Sequence, residues 1–284
     1  MHRVGGFGRI ARYACRRRES APQERERQAL NFDLPLAPGA LALAALVIVL
    51  AYAVYGLTGF GSTVIALPVL VQLIPLKVAV PLLMLLDVSA FALSGARFRH
   101  RIAYRELGWL IPFMLAGMAL GLTLLIQVAE QKLLAVLGAF LLLYAGYGLT
   151  RRGAALRLAR AWCAPIGLAG GALAALFGTG GVLFAIYNAG RVGDKGALRA
   201  TNAAMILISS GVRALLFAAA GLLSQDGLFA AVLLLLPAVF GGVWLGNRLH
   251  AAVPAAAVVK AVYAVLVIAG LLLLARSLPE LFAL

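Results

Sequence analysis

Two ionisable side chains lie inside long apolar stretches of this 284-residue sequence, and they are the first candidates for chemistry. Asp87 lies near the middle of residues 78–95, and Arg213 lies within residues 198–220. A charged group at the centre of a membrane-spanning helix costs about 2.5–3.5 kcal/mol on insertion scales, so such groups usually face an interior cavity. Both residues therefore indicate a polar site inside an apolar protein.

Each of the two side chains has more than one interpretation. Asp87 could carry a coupling proton or bind a cation, or it could be a structural carboxyl that is protonated or paired. Arg213 could bind a planar or tetrahedral oxyanion through two parallel donors, or its long side chain could reach the membrane surface. An ion pair between the two is a further alternative, which the sequence leaves open.

A polar stripe accompanies Arg213. Asn202 and Ser209 lie eleven and four positions before it, a spacing that places all three on one face of a helix. Asn188 joins this group because it follows a glycine-rich segment within one short helix. We expect these four side chains to contribute to a substrate-binding site.

Two glycine-rich segments interrupt apolar stretches and have a known use in transporters. An unwound stretch exposes backbone amides, and the half-helix that begins after it directs its positive dipole end at an anion. Irregular backbone at this depth persists only where it lines a cavity, although close helix packing is an alternative use of small residues. The substrate-binding candidates from these segments are Thr58, Gly59, Gly61, Ser62, Gly178, Thr179, Gly180 and Gly181.

Several other kinds of site are not indicated by the sequence. It has no phosphate-binding glycine–lysine loop, no spaced metal ligands and no nucleophile–histidine–acid set, so we expect no enzyme, no metal and no cofactor. His2, His100 and His250 lie in the N-terminal region or in loops without ligand spacing. Cys15 and Cys163 lie beside arginine-rich segments expected in the cytoplasm, where thiols stay reduced, so no disulfide is expected.

The composition identifies the class of protein that must position these residues. Hydrophobic residues make up 63% and charged residues only 12% of the chain, whereas soluble domains carry about 25% charged residues. An all-α integral membrane protein in a lipid bilayer is therefore predicted, and a β-barrel is not, because the apolar stretches are continuous rather than alternating. The net charge of +15 does not indicate a nucleic-acid partner, because eight Lys and Arg lie in residues 1–27 and most others lie in short gaps between apolar stretches.

The apolar stretches predict eight transmembrane helices. Because a span needs about 20 residues, residues 63–74 are too short to cross and predict a re-entrant or broken half-helix. The predicted spans are 40–57, 78–95, 107–128, 133–149, 165–189, 198–220, 228–249 and 255–275.

The second half of the sequence repeats the plan of the first. Residues 57–61 correspond to residues 176–180 at an offset of 119, and a later set of one proline and two glycines recurs at an offset of 125. The sequence thus predicts two homologous four-helix repeats, each with a broken segment. The Gly-x-x-x-Gly spacing in the later set indicates helix packing. That set comprises Pro112, Gly117 and Gly121 in the first half and Pro237, Gly242 and Gly246 in the second.

The positive-inside rule orients the predicted spans. If residues 62–75 dip into the membrane and return, each half crosses four times, and the N-terminal region, the 97–105 loop and Arg276 lie in the cytoplasm. An odd number of crossings per half, which would invert the second repeat, is the alternative. The predicted regions are a disordered basic cytoplasmic extension (1–37), a first membrane repeat (38–150), a cytoplasmic linker (151–163), a second membrane repeat (164–276) and a C-terminal tail (277–284).

Short motifs recur in order along both halves. They are GLTGFGSTVIALPVL at 56–70, PLKVAV at 75–80, RFRHR at 97–101, LFGTGGVL at 176–183 and KGALRATN at 195–202. Over about residues 40–276 this set resembles the TauE/SafE sulfite-exporter family. The resemblance implies a multi-pass permease of the bacterial inner membrane, made by duplication of a four-helix unit, for anions such as sulfite or sulfonates. Ser62 stands where the family usually has a second glycine.

Together these features predict a secondary transporter for a small anion, with the site at the interface of the two repeats. One alternative is a membrane scaffold or accessory subunit without transport of its own. A metal-cation carrier is a weaker alternative, because His, Cys and carboxylate residues are not clustered. A homo-oligomer is compatible with the sequence.

Overall fold

The computed structural model describes residues 38–58, 61–94, 102–150, 158–249 and 255–282. All regular secondary structure in these residues is helical, which confirms the all-α prediction. The predicted extension at 1–37 lies outside the described residues. The α-helices of the described part are α1 (Pro38–Thr58), α2 (Ser62–Leu70), α3 (Leu76–Ser94), α4 (Tyr104–Gln127), α5 (Glu130–Thr150), α6 (Cys163–Phe177), α7 (Gly181–Arg191), α8 (Lys195–Ala219), α9 (Leu228–Leu249) and α10 (Ala255–Phe282), with a short 3₁₀ turn at Arg160–Trp162.

Six segments of the described residues are long and apolar enough to cross a membrane. The two other predicted spans, 78–95 and 255–275, coincide with α3 and α10, each of which includes side chains outside the described set. Two boundaries differ from expectation: α10 continues to Phe282, into the predicted tail, and α6 begins at Cys163, inside the predicted linker. The six segments are Gly39–Leu57, Tyr104–Gln127, Glu130–Thr150, Arg160–Phe177, Gly196–Ala219 and Leu228–Leu249.

Glycines allow α1 to pack closely on α9, and α4 to pack closely on α6. A Cβ atom on Gly246 would lie 2.1 Å from the carbonyl oxygen of Ala53, and one on Gly117 would lie 2.1 Å from that of Leu168. Gly121 and Gly242 make similar backbone contacts, so the helix-packing prediction for these four glycines is confirmed. The contacts also show that α1 and α9 run in the same direction, because Val49 O lies nearest Gly242 and Ala53 O nearest Gly246.

The helices α6 and α7 form a hairpin whose two ends lie side by side. Leu158 N donates a hydrogen bond to Gly190 O at 3.3 Å, and Arg191 Nη1 donates to Leu158 O at 3.3 Å. Arg191 also pairs with Glu106, at the start of α4. The prediction of one span over residues 165–189 is therefore wrong, because the chain returns to the end of the bundle where it entered.

The opposite end of the bundle holds the loops around Lys77. Lys77 Nζ donates to Ile126 O at 3.0 Å, Gln225 donates to Lys77 O at 3.0 Å, and Arg276 donates to Gln72 at 2.9 Å. We call this the Lys77 end, and the one where α4 begins the Glu106 end. Since α9 starts just after Gln225 and α1 runs parallel to it, α1 starts at the Lys77 end.

The pair α1 and α2 therefore also returns to its own starting end, because Gln72 follows α2 and lies at the Lys77 end. The sequence predicted that α1 crosses alone and that residues 62–75 dip in from the far side. The helix directions instead agree with the alternative in which each half changes sides an odd number of times.

A matched pair of glycines in α9 tests the close packing. Gly246→Ala places a methyl group against the α1 backbone, and such overpacking costs about 1–3 kcal/mol. Gly241 has nothing within 4 Å of an added Cβ, so Gly241→Ala gains about 1 kcal/mol of helix propensity at no steric cost. Thermal melting of the detergent-solubilised protein should show a lower midpoint for Gly246→Ala and an unchanged or higher one for Gly241→Ala. Equal midpoints would contradict the packing.

Candidate functional site

The two interrupted segments meet at one cavity. One interruption separates α1 from α2 and the other separates α6 from α7. Gly61 and Gly178 have left-handed φ angles of 94° and 71°, a backbone conformation that favours glycine. After Gly178, the amide of Thr179 donates to Leu173 O, as in a glycine-ended helix terminus. The cavity is lined by Tyr55, Gly61, Ser62, Thr63, Val64, Asp87, Ala174, Gly178, Thr179, Gly181, Val182, Ile206, Ser209, Ser210 and Arg213.

The cavity is small and faces the beginnings of two helices. The volume open to water inside it is about 50 Å³. Because one water molecule needs roughly 10–15 Å³ of such volume, the cavity has room for a small ion or a few waters. The first turns of α2 and α7 both line it. The first amides of a helix have no partner within the helix and carry the positive end of its dipole. Both helix starts therefore favour a negative charge in the cavity.

Asp87 of α3 is surrounded by hydroxyl groups. Tyr52 Oη and Ser62 Oγ donate to Oδ1 at 2.8 and 2.9 Å, and Thr63 Oγ1 donates to Oδ2 at 2.5 Å. These hydroxyls come from α1 and from the first turn of α2, so Asp87 links α3 to the first interruption. Asp87 is only 6% exposed, and each of its carboxylate oxygens has at least one partner.

Arg213 of α8 faces the cavity from the other side. Its Nη2 lies 3.6 Å from Asp87 Oδ2, and its Nη1 donates to Ala174 O at 3.2 Å. The Arg213 side chain is 4% exposed, so it does not reach the membrane surface. Its Nε is buried and has no hydrogen-bond partner within the described part of the chain. The structure thus contains the Asp87–Arg213 ion pair that the sequence left open.

Most of the predicted site residues whose side chains are described lie at this cavity. They are Gly61, Ser62, Asp87, Gly178, Thr179, Gly181, Ser209 and Arg213. Thr179 Oγ1 is buried and has no partner among the described residues. Thr58 ends α1 and its side chain is outside the described set, and Gly59 is outside it altogether.

Three predicted residues lie elsewhere. Gly180 packs against the α6 backbone, where an added Cβ would lie 2.0 Å from Gly170 O. Asn188 Nδ2 donates to Asn202 Oδ1 at 2.7 Å, and neither is among the lining residues of the described cavity. Asn202 is eleven residues before Arg213, which is about 16 Å along a helix at 1.5 Å per residue. Asn202 and Arg213 therefore lie on one face of α8, but only Arg213 lines the cavity.

Sequence reasoning missed five contributors to the cavity. They are Tyr52 and Thr63, which bind Asp87, Tyr55 and Ser210 near it, and the carbonyl of Ala174, which accepts from Arg213. Thr63 could have been included because it follows Ser62 directly at the start of the half-helix. The two tyrosines lie in a continuous apolar stretch and gave no such signal.

A second polar cluster lies at the Glu106 end. Glu106 accepts from Arg191 Nη2 at 3.0 Å, from Arg191 Nε at 3.3 Å and from Tyr187 Oη at 3.1 Å. Arg160 lies 3.7 Å away and packs over the ring of Trp109. This cluster fastens the end of the α6–α7 hairpin to α4, and it lies outside the set of cavity-lining residues.

The family of the chain follows from comparison with known proteins. The family model described as sulfite exporter TauE/SafE matches residues 44–273. The chain belongs to the TauE/SafE family. It is also 30% identical over 193 residues to a protein of Comamonas testosteroni named "Probable inner membrane transporter protein TsaS". The aligned region covers 67% of this chain and 80% of that protein. No solved structure matches.

Family and structure agree on the class of protein. The TauE/SafE family consists of membrane transporters, and the described helices include six that are long and apolar enough to span. This member is therefore a multi-pass membrane protein of a transporter family, as the motifs of both halves predicted.

The buried ion pair yields a prediction for stability. Asp87→Ala leaves the Arg213 charge buried without its counter-charge, a change that costs about 3–5 kcal/mol. The melting midpoint of the purified protein should fall clearly, whereas Asp226→Ala, at an exposed position, should leave it unchanged. The double variant Asp87→Ala/Arg213→Met removes both charges and should recover most of the loss. An unchanged midpoint in the single Asp87 variant would contradict a structural ion pair.

Proposed function

We propose that this TauE/SafE protein is a secondary transporter for small anions, with sulfur-containing anions such as sulfite or organosulfonates as the substrate class. The observation that carries the proposal is the cavity on which Arg213 and the starts of α2 and α7 converge. The family description and the name of the Comamonas relative support transport.

The charges around the cavity favour an anion. Arg213 and Asp87 balance each other, and each helix start contributes about half a positive charge. The helix starts thus add a positive potential to two side chains whose own charges cancel, and this potential favours an anion. Buried charges are costly unless paired, so a site of this kind discriminates against cations and neutral molecules.

The donors that remain available match an oxyanion. The Nε and Nη2 groups of a guanidinium form a planar fork that binds two oxygens of a sulfite or sulfonate group. Within the described part of the chain, Arg213 Nε has no hydrogen-bond partner, and its Nη2 lies 3.6 Å from Asp87 Oδ2. Thr179 Oγ1, which also has no partner among these residues, adds a hydroxyl in the same cavity.

We further propose that the two halves are repeats of opposite orientation. The helices α2 and α7 begin at Ser62 and Gly181, and α3 and α8 begin at Leu76 and Lys195, so each pair is 119 residues apart. The packing is also reciprocal, because α1 contacts α9 as α6 contacts α4, while α3 pairs with α8 and α5 with α10. In this arrangement three helices of each half cross, and the α1–α2 and α6–α7 hairpins enter from opposite ends.

The positive-inside rule then places the Glu106 end in the cytoplasm. Among the described residues, the Lys77 end carries Lys77, Lys132 and Arg276, and the eight Lys and Arg of residues 1–27 precede α1 in the sequence. This orientation puts the start of α1 on the outer side, in contrast to the cytoplasmic extension predicted from the sequence. Among the described residues, the basic residues at the Glu106 end are Arg105, Arg160, Arg191, Lys195, Arg199 and Arg248.

The position of the cavity between the two halves suits transport by alternating access. In inverted-repeat transporters, one repeat rocks against the other around a fixed site and exposes it to each side in turn. Here α1, α2 and α3 of the first half and α6, α7 and α8 of the second share the cavity lining. Each half therefore supplies one interrupted segment and one ionisable residue.

Anion flux into proteoliposomes tests the proposed function. Arg213→Gln removes charge-assisted hydrogen bonds worth about 1.5–3 kcal/mol, so sulfite or methanesulfonate uptake should fall about 10- to 150-fold. Arg248→Gln is the matched control, because Arg248 is exposed at the end of α9 and packs on Trp244. It should transport like wild type.

Two outcomes would overturn this proposal. If folded Arg213→Gln transported like wild type, the site would be wrong. If the wild-type protein moved neither anion and co-purified with an obligate partner, the scaffold alternative would replace the transporter.

The proposed orientation has its own test. Cys15 precedes α1, and Cys163 is 5% exposed. A membrane-impermeant maleimide should therefore label Cys15 in intact cells, and the Cys15→Ser variant should remain unlabelled. Labelling that requires opened membranes would place the N-terminal region in the cytoplasm and reverse the orientation.

A further inference from the structure

Asp87 accepts hydrogen bonds from three hydroxyl groups, and Arg213 lies beside it with the Nε without a partner among the described residues. We propose that the substrate anion and the Asp87 carboxylate compete for the charge of Arg213, so that each anion enters the site together with one proton on Asp87. This inference rests on the proposed anion transport and names its coupling ion and the residue that carries it.

The charges in the cavity link the anion to a proton. In the structure Arg213 has Asp87 as its counter-charge, 3.6 Å from Nη2, and both side chains are less than 10% exposed. An anion on the Nε and Nη2 edge takes over the role of counter-charge. Asp87 and the anion would then be two negative charges that share one guanidinium at close range, and a nearby like charge favours the protonated form of a carboxyl group. A proton on Asp87 restores the balance.

The surroundings of Asp87 suit both the ionised and the protonated carboxyl group. The carboxylate accepts hydrogen bonds from Tyr52, Ser62 and Thr63. A hydroxyl can either donate or accept, and its hydrogen rotates to suit. When Asp87 is protonated, its new O–H group can therefore donate to Ser62 or Thr63 without any movement of the backbone. A ring of backbone amides or lysines would hold only the charged form.

Among the described residues that line the cavity, there is no second carboxylate and no histidine that could take this role. The titratable and charged groups that face Asp87 from the described parts of the packed helices are Tyr52 and Tyr55 of α1 and Arg213 of α8. The start of α2 supplies hydroxyls, and α6 lines the cavity with Ala174, Gly178 and their backbone. α9 packs against α3, and its charged side chain, Arg248, is exposed at the helix end.

The chemical step is a simple proton transfer. A solvent proton forms an O–H bond at one carboxylate oxygen of Asp87 when the anion binds, and the bond breaks when the anion leaves. No oxidant, reductant or further ion takes part. For a monovalent anion the charge of the occupied site equals that of the empty one, so transport is electroneutral.

Binding calorimetry with methanesulfonate tests the coupling, because the charge of this probe is constant across neutral pH. Titrations of the purified protein in buffers of different ionisation enthalpy give the number of protons taken up per anion. We expect one proton per anion. By linkage, the affinity for methanesulfonate should then fall about tenfold for each unit by which the pH is raised, over the range where Asp87 is ionised in the empty protein and protonated in the complex. Binding without proton uptake would overturn the inference and leave the proposed function standing.

Asp87→Asn identifies the proton carrier. The variant cannot take up the proton and no longer offers a competing carboxylate, so its affinity for methanesulfonate should be higher than wild type and constant with pH. Glu106→Gln is the matched control, since Glu106 is a carboxylate in the cluster outside the cavity, and it should keep the wild-type pH dependence. If Asp87→Asn kept proton uptake, the inference would be wrong.

Vesicle flux gives a second measurement that does not depend on binding by the purified variant. A membrane potential imposed with potassium and valinomycin should change wild-type methanesulfonate uptake less than twofold, because the anion and proton move together. Strongly potential-driven uptake in the wild type would exclude the proton. If the wild type neither bound nor moved methanesulfonate or sulfite, the proposed function itself would fall, and this inference with it.

Discussion

The buried ion pair between Asp87 and Arg213 is the constraint on which the rest of this structure depends. Two charges in an apolar bundle are costly unless they meet and gain hydrogen bonds from their surroundings. The interruption between α1 and α2 supplies hydroxyls to Asp87, and the end of α6 supplies a carbonyl to Arg213. The helices are therefore broken where the charges need partners, and the same breaks turn two helix starts toward the cavity.

The sequence was sufficient for the helices but not for their directions. Apolar length and glycine positions predicted α1, the break before α2 and the break inside 165–189, because each signal is local. A hydropathy pattern shows how many consecutive residues are apolar, but it does not show whether that segment crosses the membrane or turns back within it. The return of the α6–α7 hairpin became visible only through the contacts of Leu158 and Arg191 with Gly190 and Glu106.

The site was predictable to a similar degree. The cost of burying a charge singled out Asp87 and Arg213, yet a single sequence does not show that two residues 126 positions apart are neighbours. Tyr52 was hidden because a tyrosine in an apolar helix is normally a packing residue, and its role depends on the position of α3. Asn202 shares a helical face with Arg213 as predicted, but it lies too far along the helix to line the cavity. Asn188 follows the glycine-rich break as predicted, but it contacts Asn202 and does not line the cavity.

In the proposed site, an anion binds to the Nε and Nη2 edge of Arg213, beside the starts of α2 and α7. Selenite is the most direct probe, because it has the shape and charge of sulfite and its selenium scatters X-rays anomalously. In crystals grown with selenite, we predict an anomalous peak in this cavity within hydrogen-bonding reach of Arg213, and its loss in Arg213→Gln crystals. A peak only at the protein surface, or one in the cavity that persists without Arg213, would contradict the account.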